Sequence, residues 1–218
     1  MAIPHSPQPN LPEYMTWEDL ELLPTEIAQQ IELWNGKVIW VRRGPAEHQD
    51  YSAEFRSALR RSARDDMGNH TDRCWRVSLE TNVFFGDSGK SDFVTPDFLV
   101  YRCLEAPYSD IRARDVVLVG EVHSPSNTQT DIEAKKARYA QAGIPYYWEV
   151  DLARPAPAIG VVRSFALETG HGQLPDGVRP LRSANYVVTG EWTPADQPDG
   201  IITEFPFPIR IPWADLEI

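Results

Sequence analysis

The spacing of hydrophobic residues changes several times along the chain, and each change marks a predicted element. Alternating apolar residues flank Asn35-Gly36 in the run QQIELWNGKVIWV, and an Asn-Gly pair between two such runs is a strong signal for a tight β-hairpin. From Glu47 to Met67 the apolar side chains, among them Tyr51 and Phe55, recur at helical intervals. This second spacing predicts an amphipathic helix of about five turns.

Four further apolar runs predict the strands of a central sheet. CWRVSLETNVFF alternates, whereas PDFLVYR, DVVLVGEVHS and IPYYWEVDL are apolar enough to lie inside the protein. A helix from about Thr130 to Ala142, ended by Gly143, separates the last two runs. Because a helical crossover returns the chain to the same edge of a sheet, these two strands are predicted to be parallel.

Shorter elements flank this core. Thr16 is expected to cap a short helix that runs through Leu23, and the short apolar runs after Asp151 predict antiparallel strands. The predicted fold class is mixed α/β (α+β), with an N-terminal hairpin and a C-terminal antiparallel extension. We expect an N-terminal arm at residues 1–13, a core at 14–151, and an antiparallel β extension of the same domain at 152–218.

The composition narrows the class of protein. The 218 residues, 42% of them hydrophobic, are enough for one sizeable core. The formal net charge of −11 argues against nucleic-acid binding over the whole surface, but it allows a local site. The sequence predicts neither a signal peptide nor a membrane span, which needs about 20 apolar residues. Cys74 and Cys103 are expected to be free, buried thiols, and the protein to be cytoplasmic.

Two carboxylates near the ends of predicted strands are the candidate chemistry. Asp97 follows Pro96 before the run FLVYR, and Glu121 lies in the apolar strand VVLVGEVHS. If these strands are neighbours, both acids can bind one Mg²⁺ or Mn²⁺, since these cations prefer oxygen ligands. Taken alone, Asp97 is better explained as a turn residue after proline than as a ligand. An acid inside an apolar strand, however, must be paired, protonated or bound to a metal, so the pair favours a metal site.

The next helix brings a cation to the same region. Asp131, Lys135 and Tyr139 are spaced four residues apart and share one face of that helix. Lys135 lies in its early turns, where it can stabilise negative charge on a phosphate; a solvent-facing acid–lysine pair is the alternative. His123 points to the same face of its strand as Glu121. It is a candidate base or metal ligand, and a hydrogen-bonded core histidine is the alternative.

Weaker candidates for substrate contacts lie on the two helices. Lys136, one step round the helix from Lys135, is expected to face solvent or a phosphate. Arg60 and the neighbouring arginines of the first long helix can meet a phosphate backbone, although a solvated helix face explains them more simply. The aromatic residues are expected to serve interior packing or a dimer surface, and base stacking is the alternative.

An ordered set of motifs runs through the chain between Thr16 and Asp151. In chain order, the motifs lie at Glu32 with Gly36, His48, Pro96-Asp97, Glu121-Val122 with Ser124-Pro125-Ser126, Asp131 with Lys135 and Tyr139, and Gly143 with Tyr147-Trp148 and Asp151. This set resembles the Uma-type restriction endonuclease family, a branch of the PD-(D/E)XK nuclease superfamily. Any one of the motifs is weak, but the ordered set is specific.

The resemblance implies a restriction-endonuclease-like mixed β-sheet flanked by helices, with a magnesium site at Asp97 and Glu121. Lys135 would replace the lysine that many members of the superfamily carry two residues after the glutamate. This chain has His123 at that position, and the family usually has an apolar residue there. Either Lys135 or His123 is therefore a candidate for the base or for the group that stabilises charge.

The resemblance also implies two roles near the N-terminus. Glu32 would complete the acidic site as a ligand or a group that positions water, and the exposed face of a hairpin is the alternative. His48, at the start of the long helix, is a weaker candidate for substrate binding.

The expected function is that of a metal-dependent endonuclease that hydrolyses phosphodiester bonds in nucleic acid, with DNA as the expected polymer and Mg²⁺ or Mn²⁺ as cofactor. A homodimer is expected, because cutting both strands of a duplex favours two active sites. The alternative is a catalytically inactive nuclease fold that serves as a binding or interaction module, favoured by the acidity and by His123. A hydrolase of a smaller phosphodiester is a third hypothesis.

Overall fold

The computed structural model describes residues 9–41, 44–123, 127–153, 155, 158–169, 182 and 184–218. The described residues form four α-helices, namely α1 (Trp17–Glu21), α2 (Thr25–Ala28), α3 (Ala46–Asn69) and α4 (Gln129–Gln141). The strands are β1 (Ile31–Trp34), β2 (Lys37–Trp40), β3 (Trp75–Leu79), β4 (Val83–Phe84), β5 (Phe93–Val94), β6 (Phe98–Arg102), β7 (Ile111–Arg112), β8 (Val116–His123), β9 (Tyr146–Leu152), β10 (Ile159–Glu168), β11 (Asn185–Trp192), β12 (Ile201–Thr203) and β13 (Ile209–Ile211). Two 3₁₀-helices lie at Ala113–Asp115 and Trp213–Leu216.

A sheet in the order β11-β10-β9-β8-β6-β3 forms the centre of the described structure. β8 and β9 are parallel, as the helical crossover through α4 predicts, and Glu121 lies directly opposite Glu149. The other neighbours in this sheet are antiparallel. β10 and β11 are therefore the predicted antiparallel extension, while β12 and β13 pair separately. The mixed α+β fold class is confirmed.

The N-terminal hairpin belongs to a second sheet, in the order β2-β1-β5-β4-β7. Asn35 and Gly36 have φ angles of 52° and 80°, and positive φ at both positions is the turn geometry that matches the twist of a hairpin. The predicted hairpin is confirmed. The segment 74–85, predicted as one strand, contains β3 and β4 in different sheets. The single strand is wrong because the chain turns at Glu80, which has a φ of 38°.

The helix ends follow the capping signals of the sequence. Thr16 caps α1 through a capping box, as predicted. The helix ends at Glu21, two residues before the expected end at Leu23, and a further short helix, α2, begins after Pro24. Thr128 caps α4 by accepting a hydrogen bond in its first turn. The predicted stop at Gly143 is confirmed, since this residue has a φ of 77° just after the helix.

Aromatic side chains attach a helix to each face of the central sheet. Phe55 of α3 stacks on Phe98 of β6 with 5.2 Å between ring centroids, and Trp148 of β9 meets Phe55 edge-on. Tyr147, next to Trp148 in β9, points to the opposite face and packs against Tyr139 of α4 at 5.7 Å. Burial of each such side chain stabilises the fold by about 1.5–3 kcal/mol. Both long helices are thereby fixed against the strands.

Gly120 allows β6 and β8 to pack closely. It pairs directly with Phe98, and a Cβ atom placed on Gly120 would lie 2.0 Å from Cζ of Phe98. The phenyl ring therefore occupies the space that any larger residue at position 120 would need. Because Asp97 precedes Phe98 and Glu121 follows Gly120 in antiparallel strands, this contact lies next to the two candidate acids.

Gly120→Ala is expected to destabilise the protein by about 1–3 kcal/mol, because the methyl group overpacks the contact with Phe98. Gly68→Ala is the matched control, since a Cβ atom at Gly68 in α3 meets nothing within 4 Å. The control should leave stability unchanged or raise it by up to about 1 kcal/mol through helix propensity. Urea unfolding followed by circular dichroism measures both variants, and equal stability would contradict the close-packing argument.

The two cysteines are paired, which corrects the expectation of free thiols. Cys74 and Cys103 form a disulfide with their Cα atoms 5.3 Å apart. They flank the antiparallel pair β3–β6, in which Trp75 lies opposite Arg102, so the strand register brings them together. The free-thiol prediction is wrong because that register is not visible in the spacing of the cysteines. The reasoning from free thiols to the cytoplasm no longer holds.

Among the described residues, no helix combines the length and the apolar character needed to cross a membrane. Two predictions concern residues outside the described ranges. The N-terminal arm at 1–13 falls largely on residues 1–8, and the motif Ser124-Pro125-Ser126 falls on residues that the structure does not describe.

Candidate active site

A cavity of about 720 Å³ lies between the N-terminal hairpin, the first turn of α3, the end of β8 and the first turns of α4. The predicted site residues that line it are Glu32, His48, Asp97, Glu121, His123, Asp131 and Lys135. The structure therefore brings together residues from distant parts of the sequence. Arg60 is exposed on α3 and, like Lys136, does not line this cavity.

Asp97 is fixed at the start of β6 by contacts to two other elements. Its Oδ2 accepts a hydrogen bond from the backbone N–H of Val122 at 2.7 Å and contacts Nε2 of His48 at 3.0 Å. Burial alone would raise the pKa of Asp97, but the hydrogen bond and charge of His48, together with Lys135, lower it. Asp97 is therefore held as a carboxylate.

Glu121 lies at the buried end of the cavity. Its Oε1 accepts a hydrogen bond from the Tyr139 hydroxyl at 2.5 Å and lies 2.9 Å from Nζ of Lys135, which also donates to Oε2 at 3.0 Å. Burial raises the pKa of Glu121 to about 7; Lys135 opposes this shift and Asp97 adds to it. Tyr139, expected as part of a helix motif, thus orients this carboxylate.

Lys135 contacts two acidic residues and a backbone carbonyl. Besides Glu121, its Nζ lies 3.4 Å from Oε1 of Glu32 and donates to the backbone carbonyl of Thr95 at 3.2 Å. Burial opposes the charged form, but the carboxylates of Glu121, Glu32 and Asp97 raise the pKa of Lys135 above its usual value. Lys135 is therefore protonated at neutral pH, and the alternative of a solvent-facing pair with Asp131 does not apply.

Glu32 is buried, at 1% exposed, so the alternative of an exposed hairpin face does not apply. Its Oε1 accepts a hydrogen bond from the backbone N–H of Thr95 at 2.9 Å, and its Oε2 accepts one from the indole of Trp34 at 2.9 Å. The burial arises because the second sheet folds the hairpin over the cavity. Thr95, which the sequence patterns did not indicate, contacts both Glu32 and Lys135; its place two residues before Asp97 was the available signal.

Two histidines, His48 and His123, also line the cavity, and each contacts a carboxylate. Burial would lower the pKa of His48, but its contact with Asp97 raises it. Nδ1 of His123 contacts Oδ1 of Asp151 at 2.8 Å, and Arg163 donates to the other oxygen of Asp151 at 2.6 Å. His123 is thereby held by β9 and β10, not by Glu121.

Two further candidates make other contacts. Lys136 was expected to face solvent or a phosphate, but its Nζ lies 2.6 Å from Oε1 of the buried Glu149 and 4.5 Å from the centroid of the Phe165 ring. Asp131 lines the cavity, where it accepts a hydrogen bond from the hydroxyl of Thr128 at 2.6 Å. The first residue is part of the packing under α4, and the second belongs to the helix cap.

The residues at the cavity fit a divalent cation with few protein ligands. Within the described parts of the chain, no group of three or more His, Cys, Asp or Glu side chains has the arrangement of a metal site. Asp97 and Glu121 nevertheless face one cavity, and both contacts of Asp97 use Oδ2. Mg²⁺ is commonly held by one or two carboxylates, with water and phosphate oxygens as its other ligands. The carboxylate pair matches that requirement.

The sequence matches the family model Uma2, described as "Putative restriction endonuclease", over residues 17–183. The chain belongs to this family. The match confirms the resemblance found in the motifs and supports a nuclease. No curated protein sequence matches the chain.

The fold of this chain is similar to that of a solved structure. That structure is described as "a putative nuclease belonging to DUF820 from Anabaena variabilis ATCC 29413". The two folds align with a TM-score of 0.56 over 93% of this chain and 97% of the other, at 19% sequence identity. At this identity the likeness concerns the fold alone, and it agrees with the mixed sheet described above.

Proposed function

We propose that this Uma2-family protein is a metal-dependent endonuclease that hydrolyses phosphodiester bonds in DNA. The observation that carries the proposal is the convergence of Asp97, Glu121 and Lys135 in one cavity. Two carboxylates beside a protonated lysine can hold a divalent cation against a phosphate while the ammonium group stabilises developing negative charge. Family membership supports the nuclease class, and the donor set supports the metal.

Asp97 and Glu121 would hold Mg²⁺ or Mn²⁺ through their carboxylate oxygens. The bound cation supplies Lewis acidity to a phosphate oxygen and makes water a better nucleophile. The protein supplies orientation: His48 keeps Asp97 ionised, and Tyr139 aims Glu121. These contacts hold the ligands in place before substrate binds.

Lys135 is better suited to stabilise charge than to act as a base. Its pKa is raised by the surrounding carboxylates, so it is protonated and can donate to an oxygen of the phosphate in the transition state. Glu32 and the carbonyl of Thr95 fix the direction of its ammonium group. His123, held by Asp151, is the remaining candidate to accept a proton from water.

Metal binding is expected to depend on pH through Glu121. Its folded pKa of about 7 lies above the usual glutamate value of 4.5, so below pH 7 a cation must displace a proton. The affinity for Mn²⁺ should rise about tenfold per pH unit up to pH 7 and then level off. Calorimetric titration in two buffers with different ionisation enthalpies measures both the affinity and the released proton.

The same shift has a consequence for stability without metal. At low pH the carboxyl of Glu121 is protonated in the folded and unfolded chain, and as the pH rises from 4.5 towards 7 only the unfolded chain ionises freely. Stability from this group is therefore lost with rising pH. Glu121→Gln is the control and should lack this contribution.

Metal affinity that is independent of pH below 7 would contradict the assignment of Glu121.

Cleavage of plasmid and oligonucleotide DNA by the wild-type protein tests the proposal directly. We expect nicking or cutting with Mg²⁺ or Mn²⁺ and none with EDTA. A parallel reaction with RNA tests the choice of polymer. Cleavage that is equal in EDTA would refute the metal, and hydrolysis of RNA alone would refute DNA as the substrate.

The second candidate is a binding module that retains the nuclease fold without activity. The observation that favours it is that Lys135 and Tyr139 already contact both carboxylate oxygens of Glu121. Calorimetry with Mg²⁺ or Mn²⁺ distinguishes the two functions. Absence of binding at millimolar metal supports the module, while binding together with DNA cleavage supports the enzyme.

A homodimer is part of the proposal, because two copies supply one site for each strand. Light scattering of the purified protein measures the mass directly, and a monomer at micromolar concentration would contradict this part of the proposal.

A further inference from the structure

The cavity that contains the acidic site also carries indole rings. Trp17 of α1, Trp34 of β1 and Trp40 of β2 all line it, and all three are only partly buried. The indole N–H of Trp34 donates to Glu32, which in turn contacts Lys135. The aromatic part of the cavity is therefore joined to the candidate reaction centre through one glutamate. Aromatic rings bind bases by stacking, whatever the base sequence.

The charges around the cavity do not suit the backbone of a double helix. Among the described residues that line it, the basic side chains are Lys135, His48 and His123, and each already contacts a carboxylate. Acids at Glu21 and Glu80 add negative charge to the same lining. Duplex binding draws its affinity from many phosphate contacts, and the cavity offers few groups for them.

The reactive groups are also recessed. The side chains of Asp97 and Glu121 are 14% and 10% exposed, and that of Glu32 is 1% exposed. Stacked base pairs keep the backbone of a duplex stiff, whereas an unpaired strand can bend and bring a phosphate and its base into such a recess. Enzymes that bind a base in a pocket act on single strands or on nucleotides taken out of the duplex.

We infer that the cavity takes an unpaired nucleotide, with the base against the tryptophan-lined wall and the adjoining phosphate at Asp97, Glu121 and Lys135. Single-stranded or locally unpaired DNA is then the substrate class. The position of the phosphate rests on the proposed function, whereas the position of the base rests on the three indole rings that line the cavity. In a homodimer each copy would take one separated strand.

Binding measured in the absence of cleavage tests the base-binding part of the inference by itself. Fluorescence anisotropy in EDTA would compare a single-stranded oligonucleotide, the same strand with several abasic positions, and its duplex, all with the wild-type protein. Removal of stacked bases should weaken binding by roughly 5- to 150-fold, the equivalent of stacking one base. The duplex should bind at least about tenfold more weakly than the single strand. Equal binding of intact and abasic strands, or tighter binding of the duplex, overturns the inference.

Trp40 is the variant of choice, because Trp34 contacts Glu32 and its loss would disturb the acidic site. Trp40→Ala should weaken single-strand binding by roughly 5- to 150-fold, and Trp40→Phe should restore most of it. Trp213→Ala is the matched control, since this partly buried indole donates to the carbonyl of Gln197, outside the cavity. Circular dichroism checks folding, and the abasic comparison needs no variant.

The two proposals fail in different ways. Base-dependent binding of the single strand with no cleavage of any DNA contradicts the endonuclease and supports the inferred nucleotide site. Metal-dependent cleavage that is faster on duplex than on single-stranded DNA, with binding independent of bases, supports the endonuclease and overturns the inferred site.

Discussion

Asp97→Asn and Glu121→Gln proteins are expected to cleave DNA at least about 10²- to 10³-fold more slowly than the wild type at saturating Mg²⁺. Each substitution keeps the shape of the side chain and removes the negative charge that would hold the cation. Asp97 is ionised by its contact with His48, and Glu121 faces Lys135, so both contribute to the charge balance of the cavity. Initial rates on plasmid and single-stranded substrates measure the effect.

Folding and a third acid provide the controls for this experiment. An asparagine at position 97 can still accept the hydrogen bond from the backbone N–H of Val122, so thermal unfolding should show an intact fold. Asp131→Asn changes a carboxylate of the same cavity that belongs to the α4 cap, and its cleavage rate should stay within a fewfold of wild type. Full activity of both site variants would refute the metal site.

Lys135→Met is expected to lose both activity and stability. Removal of the ammonium group leaves Glu121 and Glu32 without their common partner, and breaking a buried pair by removing one member costs about 3–5 kcal/mol. Lys135 lowers the pKa of Glu121, so in the variant this pKa should rise further. The loss of stability should therefore be larger at pH 8 than at pH 6, because the protonated acid needs no partner. Cleavage should fall by about 10²-fold.

Lys136→Met separates the two effects. This neighbouring lysine is paired with the buried Glu149, so its removal also weakens the fold, but it does not line the cavity. Molecules of this variant that are folded should cleave DNA at nearly the wild-type rate. Chemical unfolding at about pH 6 and 8, with cleavage at a temperature where both variants are folded, distinguishes the lysines. Equal loss of activity in the two variants would contradict the role of Lys135.

Local patterns predicted most of the framework because they depend on neighbouring residues. The Asn35-Gly36 turn followed from the requirement for positive φ, and the end of α4 followed from the stop at Gly143. The parallel pairing of β8 with β9 followed from the helix between them.

Contacts between distant segments were harder to predict from the sequence. The pairing of Cys74 with Cys103 depends on the register of β3 with β6, and sequence spacing carries no information on register between separate strands. Strand alternation put His123 on the face of Glu121, but its partner is Asp151, supplied by the next strand of the sheet.

The sequence alone determined the mixed fold, the order of its main elements and the candidate residues Asp97, Glu121 and Lys135, because turn chemistry, hydrophobic period and ordered motifs are local properties. Only the tertiary structure decided that Glu32 is buried against Lys135 and that Lys136 belongs to Glu149. The physical reason is that burial and ion pairing depend on which elements pack together. Two adjacent lysines on one helix point to different neighbours, and only the folded chain specifies which neighbour each one meets.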